Sequence, residues 1–285
     1  MICFAVLAHE HPAALADLMA TLSLTSPGSP VVVFNGGRDA TLTDGFDRCP
    51  GSRPLRHGHL AAFHDAALAW FDQQDGDWLV TLDSDVLPTR PGLDAHLAGL
   101  GADYAAGHLS LVQPGTPWRP GRRFLRDWSR WQPLLAIEHP WRCFNPVQAF
   151  SRRYALAYLD WPGRPALLDL VAASPHEALE EIVWPSVGAA LGLRLAGLGG
   201  DEALRLRPPT PAELGEHLAD PAVFVVHKVR TTPDASERQL IGAHLRGEPL
   251  DLAAAQRAAA APRPESRLRA LGGWAKDAQL WLRSR

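Results

Sequence analysis

The chain has few cysteines, three in 285 residues, and they are scattered as Cys3, Cys49 and Cys143. An odd, dispersed set supports neither a disulfide framework nor a cysteine zinc site, which points to a reducing compartment. No run of about 18 apolar residues is present, so no transmembrane helix is expected. The N-terminus Met1-Ile2-Cys3-Phe4-Ala5-Val6-Leu7 lacks a basic leader and is too short for a secretory core. A cytoplasmic protein is the expectation. Excess charge is also absent: the net value of −3 gives no basic surface for nucleic acid. No Gly-x-Gly-x-x-Gly follows the first apolar run, and no Gly-x-x-x-x-Gly-Lys-Ser/Thr occurs anywhere. A dinucleotide fold or a P-loop would therefore lack its phosphate cradle. With 46% hydrophobic and 21% charged residues, the composition is that of an ordinary globular protein.

What is present begins with alternating apolar runs and helical patterns. Ile2 to Ala8 reads as a buried strand, Pro12 to Leu22 as a helix opened by proline, and Val31 to Phe34 as a second strand. This βαβ start implies a parallel sheet in an α/β fold. A helix from about Leu60 to Phe71 leads into Trp78-Leu79-Val80-Thr81-Leu82-Asp83-Ser84-Asp85, a buried strand ending in two carboxylates one residue apart. Strand alternation would put Asp83 and Asp85 on one face, at the carboxyl edge where open α/β sheets bind ligands. The pair is either solvated turn chemistry or an anchor for a hard divalent metal on a diphosphate. His9 and Asn35, at the ends of the first two strands, are candidates for nucleotide contact or for capping. His57, His59 and His64 lack the i, i+4 spacing of a helical zinc pair; His59 fits better as a wall of a donor pocket.

Further along, Trp118 lies in a turn-rich loop and suits stacking on a sugar ring, whereas Trp128 and Trp131 also fit the core side of a helix. Ser174-Pro175-His176-Glu177 has the form of a capping box, and Pro185 suggests that another helix begins near it. Val223 to Val226 reads as a strand leading into His227-Lys228-Val229-Arg230. From about Thr231 the composition shifts to Ala, Arg and Pro. Residues 1–230 are thus expected to form the main domain and 231–285 a helical extension. Its last part, Ser266 to Arg285, reads as a basic helix that packs on the domain or on a second subunit, or lies on an anionic membrane surface.

Together these motifs resemble a GT-A-fold glycosyltransferase, and more narrowly the core-2/I-branching and peptide O-xylosyltransferase family. Phe4 to Pro12 is similar to that family's opening, Gly58-His59 to its Trp-Gly segment, and Gln148-Ala149-Phe150-Ser151-Arg152 to its Gln-Trp-x-x-Leu-Ser-Arg block. Glu181-Ile182-Val183-Trp184-Pro185-Ser186 resembles its Glu-x-x-Trp-x-Thr block, whose glutamate is the catalytic base. The resemblance implies a Rossmann-type, mostly parallel sheet flanked by helices, and transfer of a sugar from a nucleotide-sugar, a UDP-sugar for preference, to a glycan or small-molecule hydroxyl with inversion. Glu181 would be the base, with Glu180 beside it and Glu177 explained by the capping box. Lys228 and Arg230 would meet the diphosphate, Gln148 and Trp118 the substrate. Close relatives in that family work without metal and lack Asp-x-Asp, whereas Asp83-Ser84-Asp85 is intact here. Asp83, Asp85 and His227 could instead hold Mn²⁺ or Mg²⁺. A retaining transferase, a sugar-nucleotide nucleotidyltransferase and a non-catalytic glycan-binding protein are the alternatives.

Overall fold

The computed structural model describes residues 1–56, 58–232 and 234–260; Ser266 to Arg285 lies outside them. The order is β1 (Ile2–Ala8), α1 (Pro12–Thr25), β2 (Val31–Asn35), α2 (Ala61–Phe71), β3 (Trp78–Asp83), β4 (Leu87–Pro88), α3 (Leu93–Gly99) and β5 (Tyr104–Leu111). It continues with α4 (Arg119–Arg126), α5 (Trp128–Leu135), β6 (Trp141–Ser151), α6 (Arg152–Leu159), α7 (Arg164–Ala173) and α8 (Leu179–Ala190). The last elements are β7 (Leu195–Gly197), a 3₁₀ turn (Asp201–Ala203), α9 (Pro211–Ala219), β8 (Val225–Val226), α10 (Ser236–Leu245) and α11 (Leu252–Ala260). Among the described residues no helix is long and apolar enough to cross a membrane.

Six strands form one sheet in the order β2-β1-β3-β6-β5-β7. β1 pairs in parallel with both β2 and β3, and β5 with β7, while β6 is antiparallel to β3 and β5. The sheet is therefore mostly parallel, with β6 the reversed strand. Burial on both faces explains the unbroken apolar run of β1. Ile2, Phe4, Val6 and Ala8 face one core, shared with α1, α9 and α10. Cys3, Ala5 and Leu7 face the other, shared with α2, α6 and α8. The second core is dense in aromatics. Phe150 meets Tyr104, Tyr154 and Trp184 edge-on, with centroids 5.3, 5.0 and 6.4 Å away, and Trp131 is buried with them. Beyond the main sheet, β4 and β8 form a two-stranded ribbon, and α10 packs on α1 through Arg238, whose guanidinium pairs with Asp17.

Four local expectations are corrected. Ser174 to Glu177 does not cap a helix: the Ser174 hydroxyl accepts from the His176 amide in a local turn, and α8 starts at Leu179 after a left-handed Ala178. α8 also runs through Pro185 without a new start. The expected strand at Val223 to Val226 shrinks to the two residues Val225–Val226, which pair with the equally short β4. β3 stops at Asp83, so Asp85 lies in a turn closed by the Val86 amide donating to the Asp83 carbonyl at 3.0 Å. Turn geometry, not strand alternation, sets where Asp85 points.

The aromatic core yields a stability prediction. Phe150 is fully buried, and Phe150→Ala is expected to lower unfolding free energy by about 3–5 kcal/mol, read from urea denaturation. A loss under about 1 kcal/mol would show that this core relaxes around the cavity instead.

Candidate active site

The chain folds β1 to β2 on one side and then returns to place β3 on the other side of β1. The gap between the carboxyl ends of β1 and β3 is thus a topological switch point, where such sheets bind ligands. A cleft opens there in three joined lobes. The first, about 850 Å³, is lined by His9, His11, Gly36, Gly37, Arg38, Ser84, Asp85 and Lys228. The middle lobe, about 440 Å³, shares His9, Ser84, Asp85 and Lys228 and adds Asp83, Asn145, Glu180, Glu181 and His227. The third, about 380 Å³, shares Glu181 and Phe144 and adds His108, Trp118, Arg142 and Leu206.

Glycine makes the first lobe possible. A Cβ on Gly36 would lie 2.7 Å from the His9 ring, and one on Gly37 would overlap the His9 carbonyl. Of the two roles open to Asn35, the local one is seen: its side-chain amide nitrogen donates to the Asp39 carbonyl at 2.7 Å and its oxygen accepts from the Gly37 amide at 3.0 Å, tying this turn.

The ribbon brings the C-terminal cluster to the turn after β3. The Val229 amide donates to the Asp85 carbonyl at 2.8 Å. His227 Nε2 lies 3.4 Å from Asp85 Oδ1 and Lys228 Nζ 3.2 Å from Oδ2. Burial alone would raise the Asp85 carboxyl, but the hydrogen bonds and charge of His227 and Lys228 outweigh it and leave it below the ordinary value. Lys228 is 48% exposed, and so open an ion pair contributes only about 0–1 kcal/mol. Its ammonium can turn to an anionic ligand at little cost. Arg230, expected beside it, is committed elsewhere: Nε reaches both Glu237 oxygens at 2.8 and 2.9 Å, and Nη2 reaches Ser236. It anchors α10 rather than a diphosphate.

Asn145 organises the opposite wall. In the β5–β6 ladder Ala106 pairs with Gln148 but Gly107 pairs with Phe144, so the register skips Asn145-Pro146-Val147. Such a bulge re-aims a side chain and accommodates a proline that a central strand would reject. The Asn145 side chain then points at Asp83, at 3.5 Å, while its backbone amide serves the Glu181 carboxyl. Gln148 is corrected from a substrate contact to a buried support. It donates to Asn145 Oδ1 at 2.9 Å and to the Glu180 carbonyl at 3.2 Å, and accepts from Tyr104 at 2.7 Å. Glu180 is 3% exposed and accepts from the Leu60 amide at 3.1 Å, joining α8 to the start of α2. His59 lies outside the lining of the cleft; burial, with Arg56 nearby, holds its pKa low.

Two acids remain uncompensated. Burial, then the charges of Asp85 and Glu180, push the Asp83 carboxyl up to about 8. The contact to Asn145 is too long to offset this. Burial and Glu180 likewise push Glu181 up to about 8. A carboxylic acid titrating there is poised for proton transfer near neutral pH. The Asp83, Asp85 and His227 groups have the donor chemistry of a Mn²⁺ or Mg²⁺ site. As placed they do not fit one: among the described residues no three His, Cys, Asp or Glu side chains converge on a common point. Asp85 faces His227 and Lys228 instead.

Arg142 and Asn145 are the functional candidates that motif reading missed. The signal for Asn145 was a proline next to it within a strand-like run; Arg142 had none.

No protein-family model matches the chain, and no curated protein matches it. Solved structures that resemble it include glycosyltransferases. The galactosyltransferase LgtC, in complex with donor and acceptor sugar analogues, is 14% identical with TM-score 0.40, over 94% of this chain and 99% of its own. Glucosyl-3-phosphoglycerate synthase from Mycobacterium tuberculosis, in complex with Mn²⁺, UDP and glucosyl-3-phosphoglycerate, is 18% identical with TM-score 0.36, over 88% and 81%. A glycosyltransferase involved in glycosylation of the major capsid of PBCV-1 is 13% identical with TM-score 0.43, over 83% and 98%.

The raised acids carry a stability prediction. Their folded pKa lies above the ordinary 4.5 of Glu181 and 3.8 of Asp83, so the protonated folded state is favoured. Stability is full below about pH 4 on this account and falls as pH rises through about 8. Glu181→Gln removes one of the two charges and should raise Tm at pH 9 by roughly 2–4 °C, with little change at pH 5. An equal shift at both pH values would contradict the assignment.

Proposed function

We propose that the chain is a nucleotide-sugar-dependent glycosyltransferase of the GT-A type, acting on a hydroxyl of a glycan or small-molecule acceptor. One observation carries the reading: a single cleft at the switch point of the sheet places a high-pKa glutamate, Glu181, between a lobe with a movable cation and a lobe with a stacking tryptophan. The first lobe suits the nucleotide-sugar, a UDP-sugar by the family resemblance, with the turn at Gly36-Gly37, His9 and Arg38 around it and Lys228 toward the diphosphate. The third lobe, with Trp118, suits the acceptor.

In this reading the acceptor hydroxyl oxygen attacks the anomeric carbon as the bond from that carbon to the diphosphate oxygen breaks. The ionised form of Glu181, which becomes populated as pH approaches 8, takes the hydroxyl proton on Oε, and Lys228, released from Asp85, meets the charge that develops on the departing diphosphate. Attack from the face opposite the leaving group inverts the anomeric carbon. A divalent ion would supply the same neutralisation, but Asp83, Asp85 and His227 are not arranged to hold one, so the step is assigned to Lys228. Asp83, held largely protonated at neutral pH, can donate a hydrogen bond to a sugar hydroxyl or phosphate oxygen.

Two measurements test these roles. Glu181→Gln should lower kcat by about 10²–10⁴-fold while UDP affinity stays unchanged by calorimetry; near-normal turnover would remove Glu181 from the mechanism. Lys228→Met should weaken UDP binding by about tenfold, the loss of one charge-assisted contact, whereas EDTA leaves wild-type binding intact. Loss of UDP binding in EDTA would return Asp83, Asp85 and His227 to the role of metal ligands.

A further inference from the structure

The third lobe contains three basic side chains, and two are already satisfied. Arg205 pairs with Glu213 at 2.9 Å. His108 Nε2 binds the Leu204 carbonyl at 2.8 Å, with Nδ1 3.7 Å from Asp201. Arg142 differs. Its Nε donates to Ser110 Oγ at 3.0 Å, and its guanidinium carbon lies 5.1 Å from the centroid of the Trp118 ring. Among the described residues no carboxylate lies within ion-pair distance of Arg142 and its two Nη groups make no hydrogen bond, although both Ser110 and Trp118 hold the group in place. A guanidinium fixed on one edge and on one face, with its other edge open to a cavity, presents a ready fork for an oxyanion.

The surroundings favour an anion further. Phe144 and Leu206 supply apolar lining in the same lobe. The one acid in the lining, Glu181, is held largely protonated at neutral pH. The lobe is therefore electropositive around Arg142.

We propose that the acceptor carries an anionic group, a carboxylate or a phosphate, and that Arg142 binds it bidentately beside the Trp118 ring. The inference rests on reading the third lobe as the acceptor site. It makes Arg142 a specificity-determining residue: it selects acidic or phosphorylated sugars over neutral ones of the same ring shape.

The test uses the full chain in the presence of saturating UDP, which fills the first lobe. Glucose, glucuronate and glucose 6-phosphate are compared as ligands by saturation-transfer NMR. The expected result is binding of at least one acidic sugar about tenfold tighter than glucose, the gain from a charge-assisted bidentate contact. The two acidic arms separate carboxylate from phosphate. Arg142→Gln should abolish the preference and Arg142→Lys should retain part of it, with UDP affinity unchanged in both. Equal response to all three sugars, or a preference that survives in Arg142→Gln, would overturn the proposal. Failure of UDP to bind at all would instead count against the transferase reading, and an Arg142-dependent preference for acidic sugars would still stand.

Discussion

Four carboxyl groups, Asp83, Asp85, Glu180 and Glu181, line one lobe at the edge of the sheet, and the surrounding structure depends on how each is answered. Like charges in a partly buried site cannot all ionise. Asp85 is answered by His227 and Lys228, and ionises easily. Glu180 is answered by the Leu60 amide, so its role is to join two helices. Among the described residues Asp83 and Glu181 have no cation within ion-pair distance, and burial holds them as acids up to about pH 8. A site that stores two protons and one loosely held ammonium is destabilised without ligand at high pH. The same imbalance readies it for a reaction that moves one proton and releases one anion.

The supports of this edge come from distant parts of the chain. β6 runs against the other strands and carries the bulge at Asn145-Pro146-Val147. Through that bulge one residue reaches both uncompensated acids, with its side chain on Asp83 and its backbone on Glu181. The ribbon of β4 and β8 supplies Lys228 from the far end of the fold and ties it by the Val229 amide to the Asp85 turn. Both devices are backbone pairings, which hold the polar groups more rigidly than loops could. Gln148, buried beneath them, fixes the first turn of α8 and thereby the height of Glu181.

Much of this was legible in the sequence. β1 falls on Ile2–Ala8 as its apolar pattern requires, because a strand buried on both faces leaves no ambiguity of period. Asp83, Asp85 and His227 were marked by their place at the ends of strand-like runs, Glu181 and Lys228 by the family resemblance, and all five share one lobe of the cleft. The misses have a common physical cause: a polar residue's partner lies far away in sequence. Arg230 and Asn35 look identical in sequence to ligand contacts, yet Glu237 and the Gly37 turn consume their hydrogen bonds. Ser174 to Glu177 has the composition of a cap, but Ala178 adopts a left-handed conformation and donates its amide to Gly58, so the helix begins later. Asn145 needed the β5 register to be seen at all.

The central claim is that the lobe between β1 and β3 is a nucleotide-sugar site. Its most direct test is a thermal-shift series of nucleoside diphosphates and their sugar conjugates against the intact chain. Selective stabilisation by one base, with the sugar conjugate acting through the same saturable site, is the predicted result, since a ligand that binds only the folded state raises Tm by mass action. No rise with any nucleotide at millimolar concentration would contradict it.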